Sequence, residues 1–265
     1  MGIWFKEMPA DYCNQLSFFE EDVMLWQNDK VYVMDNHRDA AWCWLQQCKD
    51  GESYNFMHID RHYDMGDFYS EDDLKFFKSN RNMNYSTYAN LMQKEERAKV
   101  MRWDNYIRLA YDLRPNWFRT NIFLTHRQGD VCETRRKNNM KIYELDTLFM
   151  YSYMYQYLLN LSEFLDGVVK GSGDLKWIVN LDLDVFFYHF DERIHTQLFS
   201  DDYIVEIGKL LQRALNKIQV LTIAISPDCL IGDDMEKKWR NGFRTIELLA
   251  DKFYPLWDFP FEKVK

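Results

Sequence analysis

The chain has 265 residues, 47% of them hydrophobic and 17% aromatic, which is enough to build a sizeable core. Its net charge is −9, so it lacks the basic footprint of a protein that binds nucleic acid in bulk and would attract a cationic partner. The longest uncharged stretch, residues 147–162, is too short and too polar to cross a bilayer, so we expect no membrane partner. We expect a single domain over residues 1–265.

The cysteines indicate a reducing compartment. They are odd in number, scattered along the chain, and without the paired spacing of a zinc site. The five are Cys13, Cys43, Cys48, Cys132 and Cys229. The N-terminal residues show no apolar core of a signal peptide. We therefore expect a cytoplasmic protein with reduced thiols.

The first half of the chain predicts short strands that alternate with helices. An apolar run at Val31–Met34 is followed by His37, and a second run at Tyr54–Ile59 is followed by Asp60. Ser70 begins a capping box that opens a helix. The predicted elements are strands at 3–5, 23–26, 31–34 and 54–59, helices at 40–48 and 70–77, a polar loop at 80–86, and one or two helices within 88–111.

The second half continues this alternation. Residues 120–125 have the pattern of a buried strand that ends at His126, and residues 177–187 form an apolar run interrupted by two aspartates. The other predicted elements are a charged loop at 128–139, strands at 141–145 and 220–225, helices at 148–165 and 233–253, a further helix that starts at residue 200, and a glycine-containing connection at 167–174. The alternation predicts an α/β fold with a mostly parallel sheet covered on both faces.

Three side chains of metal-ligand type follow the second apolar run at alternating positions. They are Asp60, His62 and Asp64. Residues two apart on an extended chain point to the same side, so these groups converge at a strand end and in the loop after it. A divalent cation would offset the repulsion between the two carboxylates. The alternative is a solvated turn that contains a histidine by chance.

Two further strand ends supply three more such side chains. Asp182 and Asp184 are again two residues apart, and His37 follows the first buried run. Sites in open α/β sheets form at the carboxyl ends of the strands. Six candidate ligands at three strand ends are enough for two metal ions that share bridging carboxylates.

These segments resemble a known superfamily. The stretch from Asp60 to Asp64 resembles the Asp-x-His-x-Asp motif of the ureohydrolases, which include arginase and agmatinase, and Asp182-Leu183-Asp184 resembles their second motif. His37 is placed like the upstream histidine ligand of that superfamily. The chain is most similar to the peptide arginases. The stretches similar to that smaller family are 31–40, 56–65, 102–107, 177–187 and 222–232.

The resemblance implies a fold, a cofactor and a reaction. The fold would be a three-layer α/β/α sandwich, and the cofactor two Mn²⁺ ions per chain. Asp60 and Asp182 would bridge the ions, His37 and Asp64 would complete one of them, and His62 and Asp184 the other. Asp60, His62 and Asp182 would thereby serve catalysis. The implied reaction hydrolyses arginine side chains of a precursor peptide to ornithine and urea, as in the maturation of a ribosomal natural product.

The chain also departs from the enzymes that act on free arginine. No histidine lies in residues 65–85, where those enzymes have a further one, and the second motif lacks its usual Asp-Pro ending. These departures favour a peptidyl substrate. His126 is the candidate to transfer protons in place of the missing histidine, and the alternative for it is a surface histidine. His58 would either orient a ligand or belong to the core.

A carboxylate should pair with the planar guanidinium of the substrate. Asp228, Asp201 and Asp202 are the candidates. A plain turn residue is an equal alternative for Asp228, whereas Asp201 and Asp202 are more typical of the acids at a helix N-terminus. Two alternatives to the peptide arginase stay open. One is another binuclear-metal C–N hydrolase, acting on a small amidine or amide as agmatinases and deacetylases do. The other is a non-catalytic binding domain stabilised by metal. A homo-oligomer is compatible with each of them.

Overall fold

The computed structural model describes residues 2–14, 22–66, 69–80, 82–93, 98–126, 140–163, 174–189 and 195–261. The predicted loop at 128–139 and nearly all of the predicted connection at 167–174 lie outside these ranges. No helix in the described part of the chain is both long and apolar enough to cross a membrane. The described cysteines form no disulfide with one another.

The described strands form one large sheet and one small one. They are β1 (Ile3–Lys6), β2 (Leu25–Asn28), β3 (Val31–Met34), β4 (Tyr54–Ile59), β5 (Phe118–Thr125), β6 (Met140–Glu144), β7 (Trp177–Asp182), β8 (Phe187–His189), β9 (His195–Gln197) and β10 (Ile218–Ala224). Eight strands pair in the order β1-β2-β3-β10-β7-β4-β5-β6, and β8 pairs with β9. The run from β3 to β6 is parallel throughout, while β1 and β2 add antiparallel strands at one edge. The predicted mostly parallel sheet is confirmed.

Helices cover both faces of the large sheet. Those in the described residues are α1 (Asp39–Gln47), α2 (Glu71–Ser79), α3 (Tyr85–Ala89), α4 (Tyr106–Leu113), α5 (Thr147–Glu163), α6 (Asp201–Ala214) and α7 (Met235–Ala250). Residues of α1 to α4 belong to one apolar core and residues of α5 to α7 to another. Alternate residues of a strand enter different cores: Phe56 of β4 packs with the first and Met57 with the second. This is the predicted three-layer arrangement.

The loop predicted at 80–86 is partly wrong. Helix α3 begins at Tyr85, inside that range, because the side-chain oxygen of Asn84 accepts a hydrogen bond from the backbone N–H of Thr87. An asparagine cap of this kind starts a helix in a stretch whose composition is otherwise typical of a loop.

The prediction of one or two helices over 88–111 is also partly wrong, because the described residues between Ala89 and Tyr106 are not helical. Helix α4 begins only at Tyr106. Asn105 accepts a hydrogen bond from the backbone N–H of Arg102 at 2.8 Å and donates one to the carbonyl of Val100 at 3.0 Å. These local bonds hold the preceding residues in a turn, because an asparagine side chain that binds the backbone competes with helical hydrogen bonding.

The strand order places four carboxyl ends side by side. β3, β10, β7 and β4 are neighbours and run in the same direction, so the residues that follow them meet at one edge of the sheet. After β4 the chain adds β5 and β6 on one side of that strand, and it then adds β7 and β10 on the other side, so the order of the strands changes direction at β4. Binding sites of open α/β sheets form at such a change of direction.

Candidate metal centre

The loop after β4 contributes three of the six predicted ligands. Asp60 is fully buried, and its Oδ1 accepts a hydrogen bond from the backbone N–H of His62 at 2.6 Å. Asp64 has a φ of 52°, in the left-handed region that non-glycine residues rarely adopt. Such a conformation persists only where the surroundings enforce it. The ligand atoms of Asp64, Asp60 and His58 lie within 4.8 Å of one another.

The end of β7 contributes the two aspartates of the second motif. Asp182 is the last residue of the strand, and residues Leu183–Phe186 then form a 3-10 turn. The backbone N–H of Asp184 donates to Asp182 Oδ1 at 3.0 Å, and Asp184 Oδ1 accepts from the backbone N–H of Arg61 at 3.3 Å. The second bond joins the β7 loop to the β4 loop, so the two motifs are held against each other.

His37, after β3, completes the set. Its Nδ1 lies 2.5 Å from Asp182 Oδ2, and its Nε2 lies 3.7 Å from Asp64 Oδ2. Ser226, which follows β10 with a φ of 46°, donates its hydroxyl to the same Asp182 oxygen at 2.6 Å. The ends of three neighbouring strands, β3, β10 and β7, therefore meet around the Asp182 carboxylate.

The structure brings all six predicted ligands together. In the part of the chain that the structure describes, three overlapping groups have ligand atoms within 4.8 Å of one another, and Asp60 belongs to each of them. The groups are His37 with Asp60 and Asp182, Asp60 with His62 and Asp184, and His58 with Asp60 and Asp64. The shared position of Asp60 is what a bridging carboxylate requires.

The chemistry of these groups fits divalent cations. Four buried atoms of the predicted ligands have no aligned hydrogen-bond partner among the described residues: His37 Nε2, Asp60 Oδ2, Asp64 Oδ2 and Asp184 Oδ2. Burying ligand-type atoms without a partner is costly, and a bound cation would remove that cost. Carboxylate oxygens and imidazole nitrogens without thiolates suit a metal such as Mn²⁺.

Protonation balances the charge of the cluster when it is free of metal. Burial opposes the protonation of His37, but Asp64 and Asp182 outweigh it and raise the pKa of His37 to about 10. Burial and the charge of Asp184 raise the pKa of Asp182 to about 6. Burial also opposes protonation of His62, but Asp184 and Asp60 raise its pKa well above the usual range. Protons thus occupy places that a cation would take.

We expect Mn²⁺ affinity to rise with pH between about 6 and 9, by up to about tenfold per unit for each proton released. The pKa of about 10 means that His37 holds a proton at neutral pH, and raising the pH removes this competitor of the cation. Titration calorimetry in buffers of different ionisation enthalpy measures the proton count. Metal binding to the His37→Gln variant should release one proton fewer than binding to the wild type. A Mn²⁺ affinity of the wild type that does not depend on pH would contradict the expectation.

His126 lies beside the cluster and is buried, which excludes the alternative of a surface histidine. Its Nε2 donates to the carbonyl of Val185 at 3.2 Å, and its backbone N–H donates to the carbonyl of Arg61 at 3.3 Å. Burial lowers the pKa of His126, so its imidazole is neutral near pH 7. With Nε2 anchored as a donor, Nδ1 is the nitrogen whose lone pair can accept a proton.

The two candidate substrate carboxylates have different surroundings. Asp228 is half-buried in the short 3-10 turn Pro227–Cys229, directly after Ser226, and its carbonyl accepts a hydrogen bond from Lys238 at 3.0 Å. Asp201, at the first position of α6, accepts hydrogen bonds from Gln197 at 2.8 Å and Arg244 at 2.5 Å. Asp228 therefore lies two residues after Ser226, which contacts Asp182, whereas Asp201 is engaged as a helix N-terminal acid.

No family model matches the sequence, and no curated protein matches it. A similar overall fold occurs in an arginase. The crystal structure of Helicobacter pylori arginase superposes with a TM-score of 0.43 and 12% sequence identity, over 82% of this chain and 71% of that one.

Sequence reasoning missed three residues that hold the site in place. Ser226 binds Asp182, Asn180 donates to His58 at 3.1 Å, and the ring of Tyr106 stacks on His37 with centroids 5.2 Å apart. Asn180 is two positions before Asp182, so the same alternation that marks the ligands would have pointed to it. Tyr106 lies in one of the stretches that carry the family resemblance, but nothing local marks its role.

Proposed function

We propose that the chain is a manganese-dependent hydrolase that converts arginine side chains of a peptide to ornithine and releases urea. The observation that supports this most is the meeting of six oxygen and nitrogen ligands at the carboxyl ends of β3, β4 and β7, with Asp60 common to every group. The motif resemblance of the same residues supplies the reaction class.

Each ligand has an assigned place in this proposal. Asp60 and Asp182 would bridge two Mn²⁺ ions, His37 and Asp64 would complete one, and His62 and Asp184 the other. Two such ions, when bound, supply a water that is activated at neutral pH. Hydrolysis adds this water across the bond between the guanidinium carbon and the side-chain nitrogen, and the leaving amine needs a proton.

Two further residues act on the substrate in this proposal. Asp228 pairs with the guanidinium and turns its carbon towards the cluster, because a planar guanidinium favours a carboxylate partner. His126 accepts a proton at Nδ1 and passes it to the departing amine, while the bond from its Nε2 to Val185 keeps the ring in place. Asp201 is the weaker substrate-binding candidate because Arg244 and Gln197 occupy its carboxylate.

A peptide is favoured over free arginine for two reasons. The sequence lacks features of the enzymes for the free amino acid, and the stretches around the ligands resemble the peptide enzymes. The net charge of −9 would also attract a peptide rich in arginine. The same acidic balance gives no reason to expect nucleic acid as a partner.

Incubation of the Mn²⁺-loaded protein with arginine-containing peptides tests the proposal. Each processed arginine should lower the peptide mass by one CN₂H₂ unit, with one urea released per site. Peptides with lysine in place of arginine are the matched control and should be unchanged. Release of an acid rather than urea would favour a deacetylase-like enzyme, and urea from agmatine alone a small-amidine hydrolase. No mass change over a broad peptide panel would overturn the proposal.

A further inference from the structure

A chain of hydrogen bonds crosses the sheet beneath the metal centre. The indole Nε1 of Trp44 in α1 lies 3.3 Å from the hydroxyl of Thr222 in β10, which lies 2.7 Å from Asn180 Oδ1 in β7. Asn180 Nδ2 lies 3.1 Å from His58 Nδ1 in β4 and 3.0 Å from the Tyr106 hydroxyl. The five side chains are all buried. Hydrogen bonds in this environment have no competing water and fix the groups that they join.

The strand register explains why the chain is continuous. Thr222 pairs with Asn180 across β10 and β7, and Asn180 pairs with His58 across β7 and β4. The three residues therefore form one row over three adjacent parallel strands, with side chains on the same face. Two positions further along, the same face of β4 leads to Asp60 and that of β7 to Asp182.

The direction of each hydrogen bond can be assigned because some of these groups can only donate a proton and others can only accept one. A tryptophan indole can only donate, so the hydroxyl of Thr222 accepts from Trp44 and keeps its proton for another partner. That partner is Asn180 Oδ1, since 2.7 Å is typical of an O–H···O bond and the alternative carbonyl of Val179 is 3.4 Å away. The oxygen of the Asn180 amide thus faces Thr222, and its NH₂ group faces His58 and Tyr106.

The contact with Tyr106 fits the same orientation. With its oxygen facing Thr222, the Asn180 amide donates from Nδ2 to the hydroxyl of Tyr106 at 3.0 Å. The hydroxyl of Tyr106 also interacts with the Asp64 carboxyl group. These contacts place a donor of Asn180 opposite His58 Nδ1.

His58 Nδ1 is consequently an acceptor, and its ring proton is on Nε2. Nε2 lies 3.1 Å from the backbone carbonyl of His62 and donates to it. It also lies 3.6 Å from Asp60 Oδ2 and 3.9 Å from Asp64 Oδ2, so distance alone would admit His58 as a metal ligand. A nitrogen that has its proton attached offers no lone pair to a cation.

We propose that His58 is a positioning residue and not a ligand: Asn180 fixes it as the Nε2–H tautomer, in which it holds the loop of His62. Through Tyr106 the same amide also positions Asp64. One asparagine thus orients a predicted ligand of each ion, in the way that residues behind a metal site commonly set the geometry of the ligands. The inference rests on the proposed metal centre, but the tautomer can be observed without metal.

Nitrogen-15 NMR of the histidine-labelled protein tests the proposal. In the metal-free wild type, the His58 signals, assigned by their loss in His58→Gln, should be those of a neutral ring protonated at Nε2. Addition of Zn²⁺, used as a diamagnetic probe, should move the signals of His37 and His62 and leave the proton on Nε2 of His58. An Nδ1–H tautomer in the free protein, or loss of the Nε2 proton with Zn²⁺, would overturn the proposal.

A matched pair of variants extends the test. Asn180→Asp removes the donor opposite His58, so the ring should move its proton to Nδ1 and Mn²⁺ affinity should fall by about 10- to 100-fold. Asn121→Asp makes the same change at another buried asparagine, in β5, whose NH₂ group donates, among the described residues, to the carbonyl of Phe118 at 3.1 Å. It should leave the tautomer of His58 unchanged. An unaltered tautomer in Asn180→Asp would contradict the proposal, whereas absence of urea release with an intact Nε2–H tautomer would count only against the proposed reaction.

Discussion

Asp60→Asn should lower urea release by about 10⁴-fold or more, because every ligand group of the cluster contains Asp60. The asparagine oxygen can still accept from the backbone N–H of His62, so the turn after β4 should survive. An amide has no negative charge and presents a donor on one side, so it cannot bridge two cations. Peptide mass spectrometry measures the turnover, and elemental analysis of the same sample should show manganese well below two per chain.

A second aspartate provides the control for this variant. Asp112 lies outside the cluster, where it accepts hydrogen bonds from Tyr69 and from Arg108. Asp112→Asn should keep both manganese content and turnover. Circular dichroism of Asp60→Asn should match that of the wild type. Turnover within tenfold of wild type in Asp60→Asn would contradict the assigned role of this carboxylate.

Mn²⁺ should raise the melting temperature of the protein by about 10 °C or more over a chelated sample. A ligand at 100 times its dissociation constant stabilises the folded state by about 2.7 kcal/mol, so two ions contribute about 5 kcal/mol. For a chain of this size each kcal/mol corresponds to about 2–4 °C. The physical cause is the set of buried ligand atoms that lack an aligned hydrogen-bond partner, including Asp60 Oδ2 and His37 Nε2.

The effect on melting should depend on the cluster itself. Asp182→Asn removes a carboxylate that contacts both His37 and Ser226, so Mn²⁺ should raise its melting temperature little. The control Asp112→Asn should respond like the wild type. An equal rise in Asp182→Asn would place the stabilising ions elsewhere, and the absence of any rise in the wild type would contradict the metal centre. Scanning calorimetry with and without a chelator makes the comparison.

Local pattern was sufficient to predict the strands and the side chains that lie together at their carboxyl ends. Buried apolar runs ending at Met34, Ile59 and Asp182 could be recognised from composition, and ligand-type residues follow each of them. Because parallel strands place their carboxyl ends at one edge, the meeting of these residues follows from the fold class. Six side chains spread from His37 to Asp184 could therefore be assigned to one site.

Alternation on a strand was not the whole reason for their convergence. Asp184 lies on a 3-10 turn, and Asp64 itself has a left-handed backbone conformation. Neither conformation follows from the period of two that pointed to these residues. Both depend on hydrogen bonds and packing from other segments, such as the bond between Arg61 and Asp184.

The supporting residues could not be found from the sequence because their partners are set by strand register. Thr222 and Asn180 are ordinary polar residues within buried strands until the pairing of β10, β7 and β4 places them in one row with His58. The late start of α4 has a similar origin, since the side chain of Asn105 binds the backbone before it. The bond between Asp201 and Arg244 likewise joins two helices, α6 and α7, whose bonded residues are 43 positions apart in the sequence.

Anomalous diffraction from crystals grown with Mn²⁺ would test the metal centre most directly. The expected result is two peaks roughly 3.5–4 Å apart, with Asp60 and Asp182 between them, His37 and Asp64 on one and His62 and Asp184 on the other. His58 should stay bound to the carbonyl of His62 and contact neither peak. A single peak, a peak ligated by His58, or no peak at the ends of β3, β4 and β7 would contradict the account.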